Sequence, residues 1–462
     1  MKKTRTRSVM VLIMTLAFFA GLAYFITNLT IHASEWSSMP QNEHLSDSNG
    51  LEHSGKIYDV NGTVLAQSID GKRVYNEDEE IRKACLHVVG DDTINISTAI
   101  QTVYRSELSG YSFIFGLGLP SSISSGRDIT LTIDSEVQKA AYEALGSNKG
   151  AVVVYNYKTG EIVCMVSTPT YDPQNKPSDI DTNDAYEGAY INRVLSASYP
   201  PGSTFKLVTA ATALENIENV EDRTYYCTGS DMIGGKKITC YEVSGEVDFK
   251  EALAQSCNTY FGHLAVDLGK DKMTKQAEKM GFNSYIGFDN IETVKSTYNV
   301  SKADDGDLAW SGVGQYTVLE TPMNMAMISA AIANEGTPIT PHIVKNISLP
   351  FGIKSSDRSS STGSQMMSAK AAQKLYDMMD YTVKSNYGKS SFSDNLDVCA
   401  KTGTAEVGND KGAHAWVTGF TKDNDCPLAF SVIVENGNSG FSVAIPVASR
   451  VLNAAANAIK NR

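Results

Sequence analysis

Serine and lysine three residues apart can form a nucleophile and its base, provided the lysine is kept from water. The chain offers that spacing at Ser203 and Lys206 in YPPGSTFKLVTAATALE, residues 199–215. Two prolines and a glycine stop the preceding structure, Ser203 suits a helix N-cap, and FKLVTAATAL propagates as an apolar helix. Lys206 then lies one turn above Ser203 on the same face. Burial penalises an ammonium, so the amine loses its proton more readily and can accept one from a hydroxyl. A chain of this length is expected to spell Ser-x-x-Lys by chance about once or twice, and here it occurs only at Ser203. The plain alternative is a capping serine beside a solvated lysine.

Two further clusters carry polar chemistry. KEALAQSCNTYFGHLA, residues 250–265, places Ser256-Cys257-Asn258 in a helix-like pattern. Ser256 can relay a proton and Asn258 can bind an amide. A second Ser-x-Asn, Ser393-Asp394-Asn395, sits in the polar stretch SSFSDNLD, too close to Lys401 to form a separate wall of a cleft. Context therefore favours Ser256. Lys-Thr-Gly is spelled twice, at Lys158-Thr159-Gly160 and at Lys401-Thr402-Gly403. The first copy joins two β-branched apolar runs, as a tight hairpin would whatever the protein did.

The elements that must position these residues follow from composition and pattern. The chain has 462 residues, two fifths hydrophobic and one fifth charged, enough for a large core and a second smaller unit. Its net charge of -12 argues against nucleic acid as a partner. After a basic flank at residues 1–8, residues 9–31 carry no charged side chain, long enough for a transmembrane anchor whose basic end stays in the cytoplasm. Residues 32–54 read as a linker, and 55–126 as a small first domain opening on a hairpin at Asn61-Gly62. RDITLTIDSEVQKAAYEALG, 127–146, reads as a strand and then a helix capped by Asp134 and closed by Gly146. The Ser-rich stretch 352–367 reads as a surface insertion. Of seven cysteines, Cys227 and Cys240 flank Gly234-Gly235 and are expected to form a disulfide, with Cys257 a helical thiol. Zinc is not favoured by these spacings, which lack CxxC or HxxxH.

The order Ser203-Thr204-Phe205-Lys206, Ser256-Cys257-Asn258, Lys401-Thr402-Gly403 resembles the penicillin-binding proteins, the serine D,D-transpeptidases of bacterial cell-wall synthesis. IYDVNG, LTIDSEVQ, SGVGQY and HAWVTGF are similar to further landmarks of that family. The resemblance implies an α+β fold, an antiparallel sheet packed between helices, over 127–462, with a small N-terminal domain at 55–126 and one N-terminal transmembrane helix. It implies Ser203 as nucleophile, Lys206 as base and Ser256 as proton relay. Asn258, Lys401, Thr402, Gly403 and Thr404 would bind the substrate, which makes Lys401 the functional copy and Lys158 the hairpin copy. The backbone N–H groups of Ser203 and Thr404 would form the oxyanion hole. The implied substrates are peptidoglycan stem peptides ending in D-Ala-D-Ala, with β-lactams as covalent inhibitors and no cofactor or metal. The short 55–126 segment leaves no room for a glycosyltransferase, so the resemblance is to the monofunctional class B type, partnered at the membrane by a SEDS-type glycosyltransferase. Ser54 before Gly55 departs from an arginine often found there. A β-lactamase or a non-cross-linking sensor of the same fold would carry the same three motifs.

Overall fold

A computed structural model of the protein describes residues 2–37, 51, 54–109, 126–348, 357–392, 395–408 and 411–462. Most of the expected linker, residues 110–125, the start of the Ser-rich stretch, and Ser393 and Asp394 lie outside the described residues. The N-terminal helix runs Lys2–Ser37. Its candidate span, Arg5–Asn28, contains an 18-residue window of mean hydropathy 2.4 that is not buried against the described residues, and is 24 residues long. At 1.5 Å per residue it reaches about 36 Å, more than the roughly 30 Å of a bilayer core. One helix therefore fits a single-pass anchor.

The body is organised by a five-stranded antiparallel sheet in the order Val398–Ala405, His414–Thr421, Leu428–Val434, Gly150–Asn156, Ile162–Thr168. Side chains alternate across a strand. Along Gly150–Asn156, Ala151, Val153 and Tyr155 join one apolar cluster while Val152 and Val154 join another. Antiparallel sheets often wet one face, but every residue of His414–Thr421 and Leu428–Val434, two of the three inner strands, is buried. Both faces must therefore be covered. Helices Ser135–Leu145 and Ile445–Lys460 pack on one side, and Pro322–Ala333 with Ala369–Thr382 on the other. Asp134 accepts from the N–H groups of Glu136 and Val137, and Gly146, at φ +57°, closes the helix as its sequence predicts. Lys158-Thr159-Gly160 makes the turn between the last two strands, with Lys158 exposed and Gly160 at φ +85°.

A second five-stranded sheet has the order Val344–Ile347, Ile129–Leu131, Ile57–Tyr58, Val64–Ile69, Lys72–Tyr75. The Asn61-Gly62 hairpin is present, with Gly62 at φ +86°. Buried Asp59 accepts from the N–H groups of Asn61 and Thr63 and from the Ser135 hydroxyl at 2.7 Å. Residues on both sides of position 126 share this sheet, since Ile57–Tyr58 pairs in parallel with Ile129–Leu131. One apolar cluster runs from Ile57 to Ile433.

Candidate active site

Ser203 enters the site on a 3-10 turn, Gly202–Phe205, that leads into the α-helix Lys206–Asn216. This corrects the expectation of a capping serine: neither element has a side-chain cap, and the Ser203 hydroxyl turns inward to Lys206 instead. Two glycines let the turn press on the strand Val398–Ala405. A Cβ on Gly202, at φ +54°, would lie 2.5 Å from the Thr404 carbonyl oxygen, and one on Gly403 would lie 2.7 Å from that of Pro201. Trp416 Nε1 donates to the Pro200 carbonyl at 3.0 Å and fixes the approach to the turn. Phe205 stacks on Tyr298, ring centroids 5.3 Å apart, and anchors the helix start in the core.

Lys206 is fully buried. Its Nζ lies 3.0 Å from Ser203 Oγ, 2.6 Å from the Ser256 carbonyl oxygen, 3.0 Å from Ser256 Oγ and 2.6 Å from Asn258 Oδ1. The carbonyl oxygens can only accept, so they take N–H hydrogens. The two hydroxyls can also donate, and a neutral amine has one lone pair to receive a proton from Ser203. Burial lowers the Lys206 pKa to about 7, against a smaller opposing pull from Cys257 and Cys240. The amine is thus a base at neutral pH.

Ser256-Cys257-Asn258 is not inside one helix, as its pattern suggested. It links Phe249–Ala254 to Asn258–Lys279, with Ser256 left-handed at φ +57° and Cys257 extended at the N-cap. The break lets the Ser256 carbonyl face Lys206, which a continuing helix would engage in its own ladder. Ser256 Oγ stands between two amines, 3.0 Å from Lys206 Nζ and 3.1 Å from Lys401 Nζ. The Asn258 amide Nδ2 donates to the Thr239 carbonyl at 2.6 Å, so the side chain positions Lys206 through its other end.

Val398–Ala405 is an edge strand, free on the side that faces Ser203. Lys401 is fully buried, with Nζ 3.0 Å from the Thr402 carbonyl oxygen. Its pKa is pushed well down, first by burial and then by the charge of Lys206. Thr402 donates its N–H to Tyr387 Oη at 3.0 Å, off the sheet edge. Alternate residues point their N–H the same way, so exposed Thr404 directs its N–H off that edge too, beside the nucleophile turn. Ser203, Lys206, Ser256, Asn258, Lys401, Thr402, Gly403 and Thr404 are all brought together. Lys158 stands elsewhere, 2.8 Å from Asn334 Oδ1. Tyr387 was not foreseen: it comes from a π-helical turn, Val383–Tyr387, that no motif marks.

The cysteine expectation is corrected as well. All seven are free thiols, and Cys227 and Cys240 meet a third sulfur. Sγ of Cys240 is 3.7 Å from that of Cys227 and 3.8 Å from that of Cys257, and Thr259 Oγ1 lies within 3.6 Å of all three. Spacing hid the trio because Cys257 arrives from the next helix. Among the described residues this is the one group of three or more ligand side chains close enough to hold a metal. A tetrahedral zinc thiolate with bonds of about 2.3 Å has sulfurs roughly 3.8 Å apart. The two separations at Cys240 match that spacing.

Residues 150–453 match the family described as the penicillin binding protein transpeptidase domain. The chain is 29% identical to the peptidoglycan D,D-transpeptidase PbpA of Mycolicibacterium smegmatis, over 90% of this chain and 91% of that one. In structure it resembles the D,D-transpeptidase domain of a peptidoglycan glycosyltransferase from Eggerthella lenta, with a TM-score of 0.78 and 30% identity, covering 88% of this chain and 99% of the other. It also resembles penicillin-binding protein A of M. tuberculosis solved as a ceftriaxone acyl-enzyme, with a TM-score of 0.78, 27% identity and the same two coverages.

Proposed function

The chain belongs to the penicillin-binding protein transpeptidase family, and from that premise we propose that it cross-links peptidoglycan through an acyl-enzyme on Ser203. The observation that carries the reading is Ser203 Oγ at 3.0 Å from the Nζ of a fully buried lysine. Neutral Lys206 takes the Ser203 proton as the oxygen attacks the carbonyl between the two D-Ala residues of a donor stem peptide. The backbone N–H groups of Ser203 and Thr404 receive the charge that develops on the carbonyl oxygen. Collapse of the tetrahedral intermediate breaks the C–N bond. The proton held on Lys206 reaches the departing amine through the Ser256 hydroxyl, which touches Lys206 and Lys401 alike. An amine of a second stem peptide then attacks the ester, losing a proton to the same base, and Ser203 is restored. Lys401 and Thr402 meet the donor's terminal carboxylate. A β-lactam enters as a mimic of the donor and leaves a slowly hydrolysed ester.

The apolar N-terminal helix supports a location for this chemistry at a membrane. Its basic end, with Arg5 and Arg7, lies in the cytoplasm and the transpeptidase body outside, by the positive-inside rule. A separate SEDS-type glycosyltransferase supplies the glycan strand, a reading supported by the likeness to a peptidoglycan D,D-transpeptidase over 90% of the chain. The test is to label the protein with a fluorescent penicillin, locate the adduct by mass spectrometry, and assay cross-linking on lipid-linked polymer. An adduct on Ser203, lost in Ser203→Ala, with cross-linked product is the expected result. An adduct elsewhere overturns the site, and a Ser203 adduct without cross-linking makes the protein a penicillin-binding sensor.

A further inference from the structure

The π-helical turn Val383–Tyr387 joins two walls of the site. Asn386 Nδ2 donates to the Ala254 carbonyl at 2.6 Å, just before Ser256, and Tyr387 reaches Thr402 on the edge strand. Gly388, at φ +80°, ends the turn and sends the chain away, leaving the phenol aimed at the strand. Burial raises the Tyr387 pKa, so the phenol keeps its proton at neutral pH.

The hydrogens can be counted. Tyr387 Oη accepts the Thr402 N–H at 3.0 Å and lies 2.8 Å from Thr402 Oγ1. A phenol has one proton to donate. Either oxygen of the 2.8 Å pair can be the donor, and we assign the phenol proton to Thr402 Oγ1, its one acceptor among the described residues. The Thr402 hydroxyl hydrogen is thereby turned away from Tyr387, and the open direction is the cleft. Without the phenol, the threonine hydroxyl is free to rotate and present a lone pair instead, which a carboxylate repels.

We infer that Tyr387 is a positioning residue that turns the Thr402 hydroxyl proton toward the substrate's carboxylate. The inference rests on the transpeptidase reading above and adds to it the group that orients the carboxylate site. It also limits how substrate can dock on the edge strand. The Thr402 N–H is held by Tyr387 and its carbonyl by Lys401, so strand-like pairing starts at Thr404.

The experiment compares penicillin with its carboxylate methyl ester, measuring the second-order rate of Ser203 acylation in the full chain for wild type, Tyr387→Phe, Thr402→Val and the double variant. A hydrogen bond to a charged group supports a loss of about tenfold. Tyr387→Phe should lose that factor with the acid and almost nothing with the ester, and the double variant should lose no more than Thr402→Val. Thr402→Ser, which keeps the hydroxyl and the wild-type phenol, should hold the wild-type ratio of acid to ester and serves if Tyr387→Phe fails to fold. Equal losses with acid and ester, an unchanged rate with the acid, or a Thr402→Ser ratio that falls to that of Thr402→Val would overturn the inference. Wild-type protein acylated at Ser203 by neither compound would overturn the transpeptidase reading itself.

Discussion

Lys206 and Lys401 share one hydroxyl yet have opposite tasks. Lys206 must be neutral to take a proton, and its pKa of about 7 follows from burial. The sign is fixed: below that value the folded enzyme holds an ammonium there and the base is lost, while above it the amine is free. Acylation by a fluorescent penicillin should therefore rise about tenfold per pH unit below 7 and level off above it. A flat profile between pH 5.5 and 8 would remove Lys206 as the base, and Lys206→Ala should slow acylation by orders of magnitude. Lys401 is held low by burial and by Lys206. A substrate carboxylate placed beside it favours the ammonium, so the charge forms where it is needed. Lys401→Ala should cost tenfold or more in acylation rate, from the loss of a charge-assisted contact of about 1.5–3 kcal/mol. Lys158→Ala is its built-in control: an exposed turn residue should change stability by no more than about 0.5 kcal/mol and leave acylation alone. Rates and thermal melts on both variants decide this.

At the scale of elements, the site depends on how closely the nucleophile turn meets the edge strand. Gly403 has no left-handed backbone requirement, so Gly403→Ala tests the packing around it without backbone strain. Its Cβ would lie 2.7 Å from the Pro201 oxygen and 3.0 Å from Thr204 Cγ2. Overpacking of this kind costs about 1–3 kcal/mol, and it displaces Ser203 from the strand that carries Thr404. The expectation is a lower melting temperature together with slower acylation; a wild-type melt and rate would show the contact to be slack. The hairpin Ser230–Ile233 with Lys236–Thr239 delivers Cys240 beside two thiols and Thr239 beside Asn258. The contact with Cys257 holds the Cys240 pKa low, which makes Cys240 the readier nucleophile. Peptide mapping after oxidation should find Cys240 in whatever disulfide forms. A Cys227 to Cys257 linkage that leaves Cys240 alkylated would contradict the arrangement.

The whole molecule couples an apolar N-terminal helix to a body whose two sheets share one core. The span Arg5–Asn28 is left uncovered by the described residues, so it should hold the full chain in membranes. Fractionation tests this: release by detergent but not by high salt or carbonate is expected, and release by salt alone would make the helix a peripheral contact. The second sheet needs strands from residues 57–75, 129–131 and 344–347. The first segment is therefore tied into the body through backbone pairing, with Asp59 bridging the hairpin and the helix that starts at Ser135.

Local chemistry was legible in the sequence because it is written in neighbouring residues. The Ser203 to Lys206 spacing, the Asn61-Gly62 turn, the Asp134 cap, the hairpin at Lys158 and the apolar N-terminal run each depend on a few adjacent positions and on backbone preferences that those positions carry with them. Asymmetric motif order also told Lys401 from Lys158, through the family it resembles. Tertiary structure decided what depends on distant pairs. Ser256 had to leave the helix its pattern suggested, since its carbonyl is needed by a lysine 50 residues away. Cys257 joined two cysteines that flank another hairpin, and Tyr387 joined Thr402, because packing brings together residues that no periodicity links. The glycines at 202 and 403 show the same division: their identity is in the sequence, but the carbonyl that forbids a side chain at each belongs to the other strand or turn.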